Sequence, residues 1–479
     1  MPRGVQLIFG LLNRRTFASC STRRNYSLPR TLRQVIETAS ENGSSTSNIE
    51  VNGWIKSVRR QKNVAFAQLS DGTTVDGRGL QIVFEDPTLA DGLTMGSSVK
   101  ILGNMVKSQG KGQAVELAAQ SIKVLGECDA ETYPIQKKTH TTEFLREHAH
   151  FRPRTDEIAR MLRLRHAVKK GFEEYYDMHG FLNVHAPIVT LNDCEGGGEV
   201  FKVLPDANAE PSTRPESQEF FGSPAFLTVS SQLHLEVFSS AFPRVYTLQP
   251  AFRAERSHTS RHLSEFWMLE AEIAFVEDLE GIMSTLESSI KHIFSSEELR
   301  RCLLPDRLSY CDKVSSSPWK RIAYGEAVKS LQASMGQEAI TWGDSISTEQ
   351  ERWLADHVGD GLPLFVTDYP ASIKPFYMRA NAGDGDRQTV ACFDLLVPRI
   401  GELAGGSMRE ERFQNMEESL KKFGMDPAQY SWYTELRKFG TTPHGGYGLG
   451  FERLISWIGG WENVRECIPA PRWKDRCIL

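Results

Sequence analysis

Residues 243–275, PRVYTLQPAFRAERSHTSRHLSEFWMLEAEIAF, leave this chain the fewest folding choices. Two β-like runs flank a polar loop from Arg256 to Leu263, a pattern that predicts an antiparallel hairpin. In the second run Trp267, Leu269, Ala271, Ile273 and Phe275 share one parity and therefore one core-facing side, while Phe266, Glu270 and Glu272 project from the other. Arg253 and Glu255 on the first run can face that same outer side. An arginine, a glutamate and an aromatic ring on one face suit a nucleotide. The guanidinium meets a phosphate through two N–H donors, the ring stacks on a base, and the carboxylate accepts from an exocyclic amine. A solvated face of paired charges has the same composition, and both readings stay open on this stretch alone.

Around the hairpin, residues 155–479 mix strands and helices without regular βαβ alternation, so the expectation is α+β: an antiparallel sheet flanked by helices. Thr155 to His179 has the spacing of an amphipathic helix stopped by Gly180, and 204–220 reads as a polar insertion with three prolines. Further upstream, five short β-rich runs between Ile49 and Glu127 are punctuated by Asp-Gly turns. They suggest a small closed barrel of the oligonucleotide-binding (OB) type over 49–127, although a small sandwich would look similar. Residues 37–48 read as a linker and 128–154 as a hinge. With 40% hydrophobic and 24% charged residues the chain is not mostly disordered. No apolar run approaches the roughly 18 residues that cross a bilayer, so no membrane partner is expected. No GxxxxGK[ST] or GxGxxG loop follows a strand, so any ATP site must be built differently.

The net charge of −5 is unevenly spread. Residues 1–36 carry seven arginines and no acid; subtracting those seven leaves −12 for the rest. Basic, Ser/Thr-rich and with Val5, Leu7, Ile8, Leu11 and Leu12 able to share an apolar face, this stretch has the composition of a mitochondrial transit peptide. A basic tail that touches RNA is the alternative.

Two more elements carry chemistry. In Thr442 to Gly460, glycines 445, 446, 448 and 450 permit close backbone approach before a helix from Phe451 to Ile458. Arg453 would sit in that helix's first turn, where a cation is unfavourable unless an anion lies beside it, so a polyphosphate partner is plausible. Asp394 lies in the apolar run VACFDLL and is followed by Glu402. Such a carboxylate needs a partner: a magnesium ion shared with Glu402, or an ion pair with Arg409.

Taken together these elements resemble a known family. Phe252-Arg253-Ala254-Glu255, then Arg261-His262-Leu263 and Glu265-Phe266, resemble motif 2 of the class II aminoacyl-tRNA synthetases. Gly448 to Leu454 resembles motif 3, and Gly180-Phe181 through Pro187 is similar to motif 1, the dimer-forming segment. With the preceding barrel, this is the layout of the subgroup that charges Asp, Asn and Lys. EFWMLEAE, the FYMR of residues 376–379 and GGSMREER look like the asparaginyl members. In Ser230 to Glu236, aspartyl enzymes carry a lysine three positions after the glutamine; here that position is Leu235 and Glu236 follows.

The resemblance implies ATP-dependent ligation of L-asparagine to tRNA(Asn) through an adenylate, with Mg2+ and a homodimer. Arg253 would hold the α-phosphate and Arg453 the γ-phosphate. Phe266 and Arg453 would sandwich adenine, Glu255 would read its amine, His262 would contact phosphates, and Asp394 and Glu402 would bind the metal. Asparagine would meet Glu195 through its ammonium, with Gln232 helping to position it. Arg409 would contact its side-chain carbonyl and Glu236 its amide N–H, a carboxylate that repels aspartate. On the barrel, Arg59, Phe66 and Gln81 match the positions that grip the central anticodon base. Taken alone, Phe66 reads as a core residue. The basic leader would then address the enzyme to the mitochondrial matrix. The competing readings are an aspartyl enzyme, possibly non-discriminating, and a non-catalytic RNA-binding relative.

Overall fold

The computed structural model describes residues 28–41, 46–74, 77, 79–110, 112–191, 200–205, 219–383, 385 and 387–479. They form two compact units, one reaching to Cys128 apart from the 72–79 loop, the other running from Asp129 to Leu479.

The first unit is the closed five-stranded barrel that the strand spacing predicts. Its strands are β1 (Thr46–Arg60), β2 (Ala65–Ser70), β3 (Leu80–Phe84), β4 (Ser98–Lys107) and β5 (Val115–Gly126), in spatial order β1-β2-β3-β5-β4. Alternation sorts the side chains: Ala65, Ala67 and Leu69 point into the barrel with Leu80, Ile82 and Phe84. Phe66 is therefore on the outside, half-buried, rather than a core residue. One correction concerns the proposed linker. Residues 32–41 are helix α1 (Leu32–Glu41), which buries Leu32, Val35 and Ala39 in the barrel core. Those positions recur at helical spacing, a signal that the neighbouring serines and Gly43 obscured. The same helix takes in the last five residues of the expected leader; residues 1–27 lie outside the described residues.

The second unit begins inside the expected hinge, another correction. Helix α2 (Thr142–Glu147) and the turn Arg152–Arg154 belong to its fabric. The Arg152 side chain is fully buried and donates to Glu466 at 3.1 Å, and Arg146 Nε donates to the same carboxylate at 2.8 Å. Glu466→Ala is expected to cost about 3–5 kcal/mol, because it strands a buried guanidinium. The loss would appear as a lower urea midpoint for this unit.

Its sheet contains β6 (Leu182–Asn183), β7 (Arg244–Phe252), β8 (Glu265–Ala274), β9 (Lys320–Ala323), β10 (Leu364–Thr367), β11 (Cys392–Val397), β12 (Gly401–Met408) and β13 (His444–Gly450). They lie in the order β9-β10-β11-β12-β13-β8-β7-β6. The six central strands are antiparallel and only the outermost pair at each edge is parallel. The expected hairpin is β7–β8, in register from Phe252 opposite Glu265. Leu269, Ala271 and Ile273 join the main core, packed with helices α3 (Asp156–Met178) and α5 (Leu279–Ser295). Phe275 does not: the chain turns there with φ +61° and the ring is 77% exposed.

β13 explains its own glycines. Tyr447 and Leu449 point into the core, while Gly446 and Gly448 face the other way, opposite Glu272 and Glu270 of β8. A Cβ on Gly446 would lie 2.1 Å from Glu272 Oε2 and 2.2 Å from the Ala271 carbonyl oxygen. The glycines thus form a low floor on the face of the sheet away from α3 and α5. Helix α4 (Gln232–Ser239) borders that floor. Helices α6 (Thr348–Trp353), α7 (Ser431–Glu435) and α8 (Phe451–Gly459), the last closed by Gly460 at φ +83°, complete what the site needs.

Candidate active site

Two adjoining cavities open above the glycine floor, sharing Arg253, Met268, Glu402 and Gly448 in their walls. The smaller, about 110 Å3, is lined by Arg253, Glu255, His262 and Phe266 from the hairpin, by Glu402 from β12 and by Arg453 from α8. The sequence reading named all six. Arg253 lies over the Phe266 ring at 5.5 Å, and His262 Nε2 stands 3.4 Å from Glu255. Burial, offset by Glu255, and then Arg453, Arg261 and Arg253 lower the pKa of His262, which favours a neutral ring. Arg453 Nη1 donates to the Glu402 carbonyl at 2.9 Å and lies 3.3 Å from its carboxylate. That carboxylate is the anion expected beside a cation in a first helical turn. Arg261, part of the motif 2 resemblance but given no role by it, also lines this cavity. It is tied to the Thr348 hydroxyl and to Glu351 of α6.

The larger cavity, about 320 Å3, takes Gln232 from α4, Glu270 and Glu272 from β8, Asp394 from β11, Arg409 from the end of β12, and Lys374 and Tyr377 from the loop between β10 and β11. Arg409 forms a two-pronged pair with Glu272, at 3.0 and 2.9 Å, and also donates to Ser407. Burial and the like charge of Glu236 raise the pKa of Glu272 against the pull of Arg409. Glu270 accepts from the Ser230 hydroxyl at 2.5 Å and the Ser231 N–H at 2.9 Å.

Two expectations change here. Glu236 does not line the cavity; it lies one helical turn below Gln232. It accepts from Gln232 Nε2 (3.2 Å), the Tyr433 hydroxyl (2.8 Å) and Arg437 Nη2 (2.5 Å), with His444 Nε2 at 3.1 Å. Against the cost of burial, Arg437, His444 and Arg409 hold its carboxyl well below the ordinary range. The carboxylate beside Arg409 in the cavity is Glu272, which the alternation of β8 had placed on this face without giving it a role. Secondly, Asp394 is not paired with Arg409. Lys374 Nζ meets both of its oxygens, at 2.9 and 2.7 Å. Glu195 falls outside the described residues, as does 206–218 of the polar insertion.

Asp394 and Glu402 border one gap. A Cβ on Gly405 would sit 3.4 Å from Asp394 Oδ1 and 3.5 Å from Glu402 Oε1, so the glycine leaves room between them. Burial raises the pKa of Asp394 against the pull of Lys374, and the Glu402 charge raises it further. Two oxygen donors repelling each other across a gap fit a divalent cation. Among the described residues no larger His, Cys, Asp or Glu cluster could hold one alone. An ion here would complete its shell from substrate phosphates and water, the usual manner of magnesium.

On the barrel, Arg59 lies opposite Phe66, and Gln68 opposite Gln81. Strand alternation puts Arg59, Phe66 and Gln81 on one outer face. Gln81 Nε2 donates to Glu116.

An antiparallel sheet with an arginine-lined cavity over glycine strands, following an OB barrel in the chain, defines a class II aminoacyl-tRNA synthetase. Residues 141–474 match the family described as tRNA synthetases class II (D, K and N), and 49–125 the OB-fold nucleic acid binding domain. The chain is 43% identical to a mouse protein named asparaginyl-tRNA synthetase, over 90% of this chain and 91% of that one. It is 42% identical to a Dictyostelium discoideum protein named probable asparagine–tRNA ligase, mitochondrial, over 90% and 93%. Its fold is similar to Pyrococcus horikoshii asparaginyl-tRNA synthetase complexed with asparaginyl-adenylate, at a TM-score of 0.79 and 29% identity, covering 90% and 97%. The chain belongs to the asparaginyl-tRNA synthetases.

Proposed function

We propose that this chain ligates L-asparagine to tRNA(Asn) in two steps. The observation that carries the reading is the Arg409–Glu272 pair in a cavity that shares Arg253, Met268, Glu402 and Gly448 with the arginine-lined one. The pair offers a side-chain amide one donor and one acceptor, and its two charges offset each other. An aspartate carboxylate would instead face Glu272 at close range, a desolvated like-charge contact.

In the first step the asparagine carboxylate attacks the ATP α-phosphate in line and pyrophosphate leaves; no side-chain nucleophile is needed. This chain contributes position and charge. Arg253 neutralises the α-phosphate at the junction of the cavities, and Arg453 and His262 hold the outer phosphates. Adenine stacks between Phe266 and Arg453, with its amine toward Glu255. Gln232 and Glu195 orient the amino acid. Asp394 and Glu402 would hold Mg2+, which when bound supplies neutralisation of phosphate charge. In the second step the terminal ribose hydroxyl of the tRNA takes the acyl group, while Arg59, Phe66 and Gln81 grip the central anticodon base.

The enzyme acts as a homodimer through 180–187, a reading supported by the exposed Leu182 within that segment and Ile188, Val189 and Leu191 just after it. It works in the mitochondrial matrix, supported by the seven arginines of 1–36 and by the printed name of the Dictyostelium relative. ATP–pyrophosphate exchange tests the central reading. Exchange should depend on asparagine; stimulation by aspartate instead would overturn it.

A further inference from the structure

Asp394 and Glu402 each already have a cation of their own. Lys374 meets both oxygens of Asp394, and Arg453 lies 3.3 Å from the Glu402 carboxylate. Lys374 is caged: its ammonium also sits 4.0 Å from the Tyr369 ring centre, and the Tyr369 hydroxyl bonds to Asp394. The side chains of Lys374 and Asp394 are each only 15% exposed. A metal ion arriving alone would have to displace a buried, two-oxygen ion pair from one of the two carboxylates that border the gap. It would gain little net charge compensation by doing so.

We propose that Lys374 is a resident counter-ion that keeps the Asp394–Glu402 gap closed to a free divalent cation, so that the metal enters only together with the nucleotide. Triphosphate in the arginine-lined cavity supplies the missing oxygen ligands and draws Arg453 off Glu402. Lys374 itself lines the larger cavity. Its ammonium, once released from Asp394, faces the space where the amino-acid carboxylate and the α-phosphate meet. This inference rests on the reading of Asp394 and Glu402 as the metal's protein ligands.

The test is Mn2+ binding by the full chain, followed by electron paramagnetic resonance and by water-proton relaxation. Wild type without nucleotide should bind no Mn2+ at this gap tighter than the millimolar range. Lys374→Met, and Lys374→Gln as a second variant, should raise nucleotide-free affinity at least tenfold. Adding Asp394→Asn to either should remove the gain. Wild type with ATP should show relaxation enhancement above that of Mn2+–ATP alone, and Asp394→Asn should reduce it.

Tight nucleotide-free binding by wild type that Asp394→Asn abolishes would overturn the proposal. So would a folded Lys374 variant, checked by circular dichroism, with no gain in affinity. If neither lysine variant folds, the wild-type and Asp394→Asn titrations still decide. If Asp394→Asn leaves the ATP-dependent enhancement untouched, the ligand reading has failed instead, and the proposal falls with it.

Discussion

Arg409→Met is expected to lower kcat/KM for asparagine in pyrophosphate exchange by about 10² to 10⁴, the equivalent of the roughly 3–5 kcal/mol lost when one partner of a buried ion pair is removed. Arg409 is 3% exposed, and it donates to both oxygens of Glu272 from 3.0 and 2.9 Å. Glu236 lies 3.8 Å from its Nε, so the loss leaves two carboxylates in the interior with Arg437 and His444 to offset them. Part of the cost therefore falls on stability, and a thermal melt separates that part from lost recognition. Arg409→Lys keeps the charge but not the planar fork, and should fall between wild type and Arg409→Met. Exchange that survives Arg409→Met in folded protein would mean that asparagine binds elsewhere.

How much of this site could be read beforehand follows from how local each signal is. In β8 the alternation of Leu269, Ala271 and Ile273 with Glu270 and Glu272 assigns faces without any tertiary knowledge, because successive side chains in a strand must point oppositely. The glycines of β13 were legible as close approaches, but what approaches them depends on the pairing of Gly446 with Glu272 across two strands distant in sequence. Glu236 shows the limit. Its place after Leu235 suggested a pocket residue, yet Gln232 and Glu236 are one helical turn apart along α4. Only the packing of Tyr433, Arg437 and His444 decides that the cavity ends above the lower one. Likewise, no spacing rule connects Lys374 to Asp394, since a loop between two strands delivers the lysine. In 32–41 the helical spacing of Leu32, Val35 and Ala39 was present but lay among residues whose basic and polar composition pointed to leader and linker.

Arg453→Ala carries the second large effect, a fall in asparagine-dependent exchange of about 10²- to 10³-fold, as for other losses of roughly 2.7–4 kcal/mol of electrostatic stabilisation in a water-poor site. Gly450 leads from β13 straight into α8, so the strand's position in the sheet fixes where Arg453 points. Its Nη1 is held by the Glu402 carbonyl at 2.9 Å, a contact that does not depend on the Glu402 side chain. The guanidinium is thus already at the cavity wall before ATP arrives, and only its contact with the Glu402 carboxylate has to give way to phosphate. Against the cost of burial, Arg453 is also the first of the cations that lower the pKa of Glu402, ahead of Lys374, Arg253 and Arg261. Its loss should therefore weaken both the phosphate clamp and the ionised state of the carboxylate beside it. The defect should appear in kcat and in the KM for ATP, with the KM for asparagine little changed, because Arg453 lines only the smaller cavity. Transfer to tRNA from preformed adenylate should fall much less, since pyrophosphate has already left and only the stacking of Arg453 on adenine is lost. Equal loss in both half-reactions would assign Arg453 to the scaffold rather than to the phosphates.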